Sequence, residues 1–396
     1  MDFDQRGGKV IAALAFMWQT GGVPVITEYP QPNSSVVAIE AIVKLPKMNP
    51  AQRYLLSQAI NLAVQMTPEY ANQDVLRILQ IGSRFRLYQG ADHLRVGLTV
   101  DPANLGSGLN LLHSVLTEPT FLADTIKARK SNVVFPWSAA YRGFDFQETT
   151  LERENLVAMW QGIMRPQNIS VAISGTFRPG EPGEKWRSKT SGWVYTVPSQ
   201  LPFAYPPLAK EKPNDPPLLV FDSKPLTLTK ASLPSYLLAA NALGVGKDSV
   251  QWLVAREGMN LSYRQEAFLI PTADGMRFRM AFATDEEGIK PETIAALRAK
   301  LRASCEALTQ PDLDHAVGLG RGYLVNQMPT LPLILGIGEV VSNDANDQLY
   351  LRQYWSTQYG FDWNSSSLMS DMNSTKLEDF KKLLVKLIDE SDVRIY

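Results

Sequence analysis

The sequence predicts an α+β protein built from two similar units, each a mainly antiparallel β-sheet covered by α-helices. Three observations support this fold class. Short segments alternate between apolar and polar residues, which is typical of strands that bury one face. Amphipathic helical segments follow those strands. The same order of segments occurs in each half of the 396-residue chain, as expected for one architecture used twice.

Two matched markers share one offset between the halves. Tyr54-Leu55-Leu56 corresponds to Tyr236-Leu237-Leu238, which lies 182 residues further on. The alternating strand at 94–100 corresponds to the strand at 276–282 with the same offset. Agreement of both markers at one spacing indicates an internal duplication.

Helices are predicted after each of these strands. Their apolar faces contain Leu105, Leu109, Leu112 and Leu116 in the first half and Ile294, Leu297, Leu301 and Leu308 in the second. Further helical segments are predicted at 121–134 and 313–325. Each half then closes with a helix and a short strand, at 150–164 and 169–173 and at 376–388 and 393–396. The pattern suits two sheets that are each covered by helices.

A proline-rich segment separates the two halves. Its prolines are Pro198, Pro202, Pro206, Pro207, Pro213, Pro216 and Pro217. Because proline lacks a backbone N–H and fixes φ, such a segment cannot sustain a helix or a central strand. We therefore predict a first α+β domain at 1–197, an extended linker at 198–216 and a second α+β domain at 217–396.

Composition and charge exclude several classes of partner. Lys and Arg number 39 and Asp and Glu number 40, so the formal charge is −1, and this balance does not favour nucleic acid or an anionic membrane. No apolar run reaches the roughly 18 residues that a membrane helix needs. The apolar stretch 10–18 follows an acidic start and is a poor signal peptide. We expect a soluble cytoplasmic protein, or a periplasmic one if a leader was removed.

The single cysteine, Cys305, cannot form an intramolecular disulfide or a cysteine-based zinc site. Its spacing from Leu301 and Leu308 predicts a buried helix face. The histidines are His93, His113 and His315. No pair of them has the spacing of a local metal motif, so each is interpreted as a surface or hydrogen-bonded histidine.

Three glycines, Gly318, Gly320 and Gly322, could be mistaken for a phosphate-binding loop. They follow a helical segment, and no strand leads into them. Close helix packing or a kink is the better interpretation.

The stretch 241–263 combines a turn, a helix and the start of a strand. Gly244 and Gly246 predict a flexible turn, and Asp248 or Ser249 can cap the helix that follows. The apolar residues of this helix include Val250, Leu253 and Val254. The stretch therefore predicts a turn that leads into a short helix.

Arg256 ends this predicted helix, and Tyr263 opens the extended run after it. An Arg and a Tyr placed in this way can direct two strong hydrogen-bond donors to one place. In the simpler interpretation, Arg256 complements the helix C-terminus and Tyr263 is an ordinary strand aromatic.

The stretch resembles the insulinase/pitrilysin family of inverted-motif zinc peptidases. Members carry a Leu-Gly-Gly turn, a Ser-x-Leu helix, then Leu-Arg-Glu and Gly-Leu-x-Tyr, and the Arg-to-Tyr spacing fits. Val245, Ala255 and Asn260 depart from the motif, and Asn260 replaces Gly, which it does at low cost because Asn tolerates left-handed backbone angles. Leu116-Thr-Glu-Pro119-Thr-Phe121 and Arg165-Pro166-Gln167-Asn168 with the following strand are also similar to family elements.

The resemblance implies a His-x-x-Glu-His zinc helix that this sequence does not contain. The corresponding helix carries Tyr54, Ser57 and Gln58 at the motif positions, and none of these is a plausible zinc ligand or general base. The segment 133–138, where a third ligand is expected, has no carboxylate. We therefore expect this chain to bind no metal.

The resemblance also implies that some bacterial members place the zinc motif on one subunit and the Arg/Tyr pair on its partner. By this analogy, the chain is a zinc-free subunit that contributes Arg256 and Tyr263 to peptide binding and oxyanion stabilisation. Zinc would then be bound by the inverted-motif catalytic partner, and the substrate would be an extended peptide.

Two other functions stay open. The chain could be an inert assembly subunit, like the respiratory-complex core proteins that resemble this family. It could also be a self-sufficient peptide-binding protein.

Overall fold

The structure is a computed structural model. It describes residues 24–65, 86–128, 147, 149–191, 193, 217–272, 274–284, 289–324, 345–363 and 365–395. The predicted linker at 198–216 and the segment 133–138 lie outside these residues, as does part of the predicted helix at 121–134. The domain boundaries therefore stay predictions.

The first half forms a five-stranded sheet in the order β1-β5-β2-β4-β3. Its strands are β1 (Val25–Pro30), β2 (Val37–Lys44), β3 (Arg86–Gln89), β4 (His93–Val100) and β5 (Ile169–Gly175). Its helices are α1 (Pro50–Gln65), α2 (Leu105–Thr117), α3 (Ala123–Ala128), α4 (Arg153–Ile163) and α5 (Glu181–Thr190). β1 pairs with β5 in parallel, and the pairings of β2, β3 and β4 are antiparallel. Residues of α1, α2 and α4 pack against one face of this sheet in a common core.

The second half forms a four-stranded antiparallel sheet in the order β7-β8-β6-β9. Its strands are β6 (Leu218–Asp222), β7 (Ser262–Thr272), β8 (Gly275–Thr284) and β9 (Asp392–Ile395). Its helices are α6 (Leu233–Gly244), α7 (Pro291–Ala307), α8 (Gln310–Leu324), α9 (Ala345–Tyr359), α10 (Ser365–Asn373) and α11 (Leu377–Asp389). Residues of all six helices share a core with one face of this sheet.

The two sheets have matching topologies. Four neighbouring strands of the first sheet, β5-β2-β4-β3, correspond in order to β9-β6-β8-β7 of the second. The matched strands at 94–100 and 276–282 lie in β4 and β8, and the helices that contain Tyr54 and Tyr236 are α1 and α6. The predicted fold class of two mainly antiparallel sheets covered by helices is confirmed.

Two predictions about helix packing are also confirmed. Cys305 of α7 is fully buried, and this burial raises the pKa of its thiol to about 12. For the glycines of α8, close packing is seen at Gly320, where an added Cβ would lie 3.0 Å from the sulfur of Met372 and 3.2 Å from Nδ2 of Asn241, but not at Gly318, where it would meet nothing within 4 Å.

A helix of the second half covers the other face of the first sheet. Along β2, Val37, Ile39 and Ala41 face the first-half core, whereas Ile42 packs with the second-half core and Ala38 with Leu349 of α9. Because both faces of β2 are covered, the strand is buried from Val37 to Val43. The two halves therefore share an extensive internal contact.

A buried ionic network lies in this contact. Arg95 of β4 donates to Glu40 of β2 through Nε at 3.1 Å and Nη2 at 2.6 Å, and Nη2 lies 2.9 Å from Asp347 of α9. Asn346 of α9 donates to the same Glu40 carboxylate at 2.7 Å. Gly97 leaves the necessary space, since an added Cβ would lie 2.4 Å from both carboxylate oxygens of Glu40.

Charges in the network influence one another strongly. Burial raises the pKa of Glu40, and Arg95 opposes this effect. Burial lowers the pKa of Arg95, but the carboxylates of Glu40 and Asp347 more than compensate and raise it above its ordinary value. We conclude that Arg95 stays charged and holds the two carboxylates together.

His93 continues the network and is confirmed as a hydrogen-bonded core histidine. It is fully buried, with Nδ1 2.7 Å from Asp92 and Nε2 bonded to the hydroxyl of Tyr350. His113 is partly buried against Trp186 and Trp193, and its pKa is lowered by burial. His315 is exposed. The structure thus places the three histidines in separate surroundings.

Candidate functional site

The turn before the candidate site depends on two glycines. Gly246 has a φ of +82°, which favours glycine. Gly244 allows α6 to approach β7 closely, because an added Cβ would lie 2.2 Å from the backbone nitrogen of Ala267. Ser249 then accepts a hydrogen bond from the backbone N–H of Trp252 at 3.3 Å, so the turn leads directly into a capped helix.

The predicted helix that carries Arg256 is a π-helix over Trp252–Glu257. The N–H of Gly258 donates to the carbonyl of Leu253, five residues earlier, at 2.9 Å. This wider winding buries Val254 and Ala255 but leaves 52% of Leu253 exposed. Of the apolar residues named for this helix, Val250 and Val254 are buried and Leu253 is exposed.

A tight turn joins the π-helix to β7. The N–H of Asn260 donates to the carbonyl of Arg256 at 3.1 Å, and that of Leu261 donates to Ala255 at 2.7 Å. Asn260 has a φ of +49°, a left-handed angle that Asn tolerates better than most residues. The chain reverses at this residue and begins β7 beside the helix that it has just left.

Arg256 and Tyr263 meet across this turn. The guanidinium carbon of Arg256 lies 3.7 Å from the centroid of the Tyr263 ring, which is a cation–π contact. Arg256 also donates through Nη1 to Oδ1 of Asn260. A bulge between Ser262 and Arg264 makes Tyr263 the extra residue at the start of β7. The structure therefore brings the two side chains into contact.

The pair is accessible. Tyr263 is 58% exposed, and Arg256 is partly buried. A cationic guanidinium and a phenol hydroxyl on one surface can donate to a carbonyl oxygen and stabilise it as negative charge develops. In the simpler interpretation, Arg256 complements the end of the helix and Tyr263 is an ordinary strand aromatic. Neither role requires the two side chains to be in contact.

Glu266 is a second unusual group on β7. It is 7% exposed, its Oε1 lies 3.3 Å from Nε of Arg264, and its Oε2 is buried without a hydrogen-bond partner among the described residues. Burial raises the pKa of Glu266 to about 7. Sequence reasoning missed this residue, although an acidic residue in the apolar run of β7 could have indicated it.

Glu266 is expected to make stability depend on pH. Its pKa rises from an ordinary 4.5 to about 7 on folding, so the stability that it contributes is present below pH 4.5 and is lost as pH rises through 7. The loss is expected to reach about 3 kcal/mol. The free energy of unfolding from urea titrations between pH 4.5 and 8 should show this fall for the wild type.

The matched variants are Glu266→Gln and Glu378→Gln. Glu266→Gln should remove the decrease in the free energy of unfolding with pH, because its side chain has no charge to bury. Glu378→Gln should retain this decrease, because Glu378 is exposed. Equal pH profiles for the wild type and Glu266→Gln would contradict the assignment.

The positions that the sequence analysis assigned to the zinc motif lie on α1 in the first half. Tyr54 and Gln58 are each 1% exposed, and Ser57 donates to the carbonyl of Tyr54 at 2.8 Å. A phenol, a hydroxyl and an amide packed in this way do not fit the ligand set of zinc. Over the described ranges, no three His, Cys, Asp or Glu side chains form a metal-binding group.

A cavity of about 690 Å³ lies elsewhere, between the β1–β2 turn and helices α9 and α10. Arg352 lines it, stacks on Tyr29 at 3.8 Å and donates to Asp362 at 2.6 and 2.8 Å. Neither Arg256 nor Tyr263 lines this cavity, so it is distinct from the candidate site.

Several solved structures have the same fold as this chain. A peptidase M16 inactive domain from Pseudomonas fluorescens has a TM-score of 0.67 and 13% identity, covering 96% of each chain. A predicted insulinase family protease from Yersinia pestis has a TM-score of 0.58 and 13% identity, covering 96% of this chain and 94% of that one. The chain therefore has the fold of M16 and insulinase-type peptidase domains.

The same fold occurs in a chain of Complex III2 from Candida albicans, with a TM-score of 0.59 and 10% identity, covering 95% of this chain and 94% of that one. No protein-family profile and no curated protein sequence matches the chain. Within the described part of the chain, no helix has the length and apolar character to cross a membrane.

Proposed function

We propose that this chain is the zinc-free subunit of a heteromeric zinc metallopeptidase. The observation that carries the proposal is the exposed contact of Arg256 with Tyr263, whose guanidinium carbon and ring centroid are 3.7 Å apart. The buried Tyr54 and Gln58 at the degenerate zinc positions are consistent with it. The partner would be an inverted-zinc-motif catalytic subunit that binds the metal.

Each residue of the pair has a distinct role in this proposal. Arg256 anchors a carbonyl or carboxylate of the bound peptide, because a guanidinium forms charge-assisted hydrogen bonds. Tyr263 donates its hydroxyl to the scissile carbonyl as that oxygen becomes negative. The peptide is bound in an extended form, with backbone hydrogen bonds that give affinity and little sequence preference.

The second candidate function is an inert assembly subunit. The similarity to a chain of Complex III2 favours it, because the same fold there is part of a larger complex. The exposed Arg256–Tyr263 contact argues against this alternative, since an assembly surface does not need both donors at one solvent-facing place.

Reconstitution tests the proposed function. The isolated chain should bind no stoichiometric zinc and should not cleave fluorescein-labelled casein. Adding a co-purifying chain that carries His-x-x-Glu-His should produce zinc-dependent cleavage. Zinc content by mass spectrometry and fluorescence release measure the two results.

Two results would contradict the proposed function. One is cleavage by the isolated chain, and the other is activity of the partner that does not change when this chain is added. A stable complex without a change in activity would support the assembly function instead.

A further inference from the structure

Asn260 combines a left-handed backbone angle with a side-chain hydrogen-bond acceptor, whereas the glycine usual in the family at this position has no such acceptor. Its backbone adopts a φ of +49°, which glycine would also permit. Its side chain, however, accepts a hydrogen bond from Nη1 of Arg256. A glycine could supply the turn but not this acceptor.

The group that Arg256 contacts is an amide carbonyl, which resembles the carbonyl of a peptide bond. The side-chain amide of Asn has the same carbonyl oxygen as a peptide bond and the same preference for a cationic donor. Within the described residues, Asn260 is the hydrogen-bond acceptor found for Arg256, whose guanidinium face lies on Tyr263. Thus Arg256 donates to an amide oxygen of its own chain.

We infer that Asn260 is an internal competitor of the substrate, which occupies Arg256 until a peptide carbonyl displaces it. This inference rests on the proposed function, in which Arg256 binds that carbonyl. It adds an affinity-determining residue to the site, because every peptide that binds Arg256 must first displace Asn260.

The exchange requires little movement of the protein. Asn260 is exposed, so its side chain can rotate into solvent while the backbone bonds of the turn, Asn260 to Arg256 and Leu261 to Ala255, stay intact. Breaking one solvent-exposed hydrogen bond to a cation weakens peptide binding by roughly three- to tenfold.

Substitution of Asn260 shows whether this residue competes with the peptide for Arg256 or holds Arg256 in position. In the reconstituted complex, Asn260→Gly keeps the turn and removes the acceptor, so KM for fluorescein-labelled casein should fall roughly three- to tenfold with kcat unchanged. Asn260→Asp keeps the turn and offers a charged acceptor, so KM should rise. A lower kcat for Asn260→Gly would show that Asn260 positions Arg256, and an unchanged KM would show that it does nothing; either result overturns the inference.

A second measurement needs no partner. In the isolated full chain with ¹⁵N-labelled arginine, the Nη1 protons of Arg256 should exchange with solvent roughly three- to tenfold more slowly in the wild type than in Asn260→Gly. Equal exchange rates in the two proteins would overturn the competition and leave the proposed function standing. If no zinc-bearing partner yields cleavage, the proposed function fails and the competition fails with it.

Discussion

Tyr263→Phe is expected to lower kcat of the reconstituted peptidase by roughly 10²–10³-fold, the usual effect of removing one oxyanion donor. KM should change little, because the phenol hydroxyl contributes most when the carbonyl oxygen becomes negative. The ring stays in place, so its contact with Arg256, 3.7 Å from guanidinium carbon to ring centroid, is retained. Initial rates over a range of casein concentrations measure both constants.

The matched control is Tyr236→Phe. Tyr236 lies on α6, is partly buried and packs against the second-half core, so loss of its hydroxyl should leave kcat unchanged. A normal kcat for Tyr263→Phe, together with a normal rate for Arg256→Ala, would show that neither donor takes part. The assembly function would then be preferred.

The proximity of Arg256 and Tyr263 was predictable because its signal is local. Arg256 and Tyr263 are separated by a short turn, and the glycines before them identify the stretch. The π-winding of Trp252–Glu257 was not predictable, because one extra residue in a single turn does not change an apolar pattern over so few residues. The side-chain bond from Arg256 to Asn260 was missed because it depends on the turn after the helix, where Asn260 has a φ of +49°.

Much of the fold was also predictable from alternation. The strands at 94–100 and 276–282 show it clearly and lie in β4 and β8. β2 was not identified, because both of its faces are buried and Glu40 interrupts its apolar run. The docking of α9 on the first sheet has no local signal at all. Asn346 and Glu40, which are in contact, are 306 residues apart in sequence.

The docking of α9 gives the largest expected change in stability. Arg95→Ala leaves the carboxylates of Glu40 and Asp347 buried without the cation that lies 2.6 and 2.9 Å from them. Removing one partner of a buried ionic group costs about 3–5 kcal/mol. The midpoint of urea unfolding should fall accordingly, as measured by tryptophan fluorescence.

The exposed pair Arg302–Glu306 provides the control. Both side chains are about half exposed, at 51% and 54%, so Arg302→Ala should not shift the midpoint measurably, because solvent screens such pairs. Replacing Glu40, Arg95 and Asp347 together by apolar residues of similar volume should recover much of the stability, since none of these three charges then stays buried. If Arg95→Ala behaves like Arg302→Ala, the network does not hold α9 on the first sheet. If the triple variant is no more stable than Arg95→Ala, the loss comes from packing and not from carboxylates that have lost Arg95.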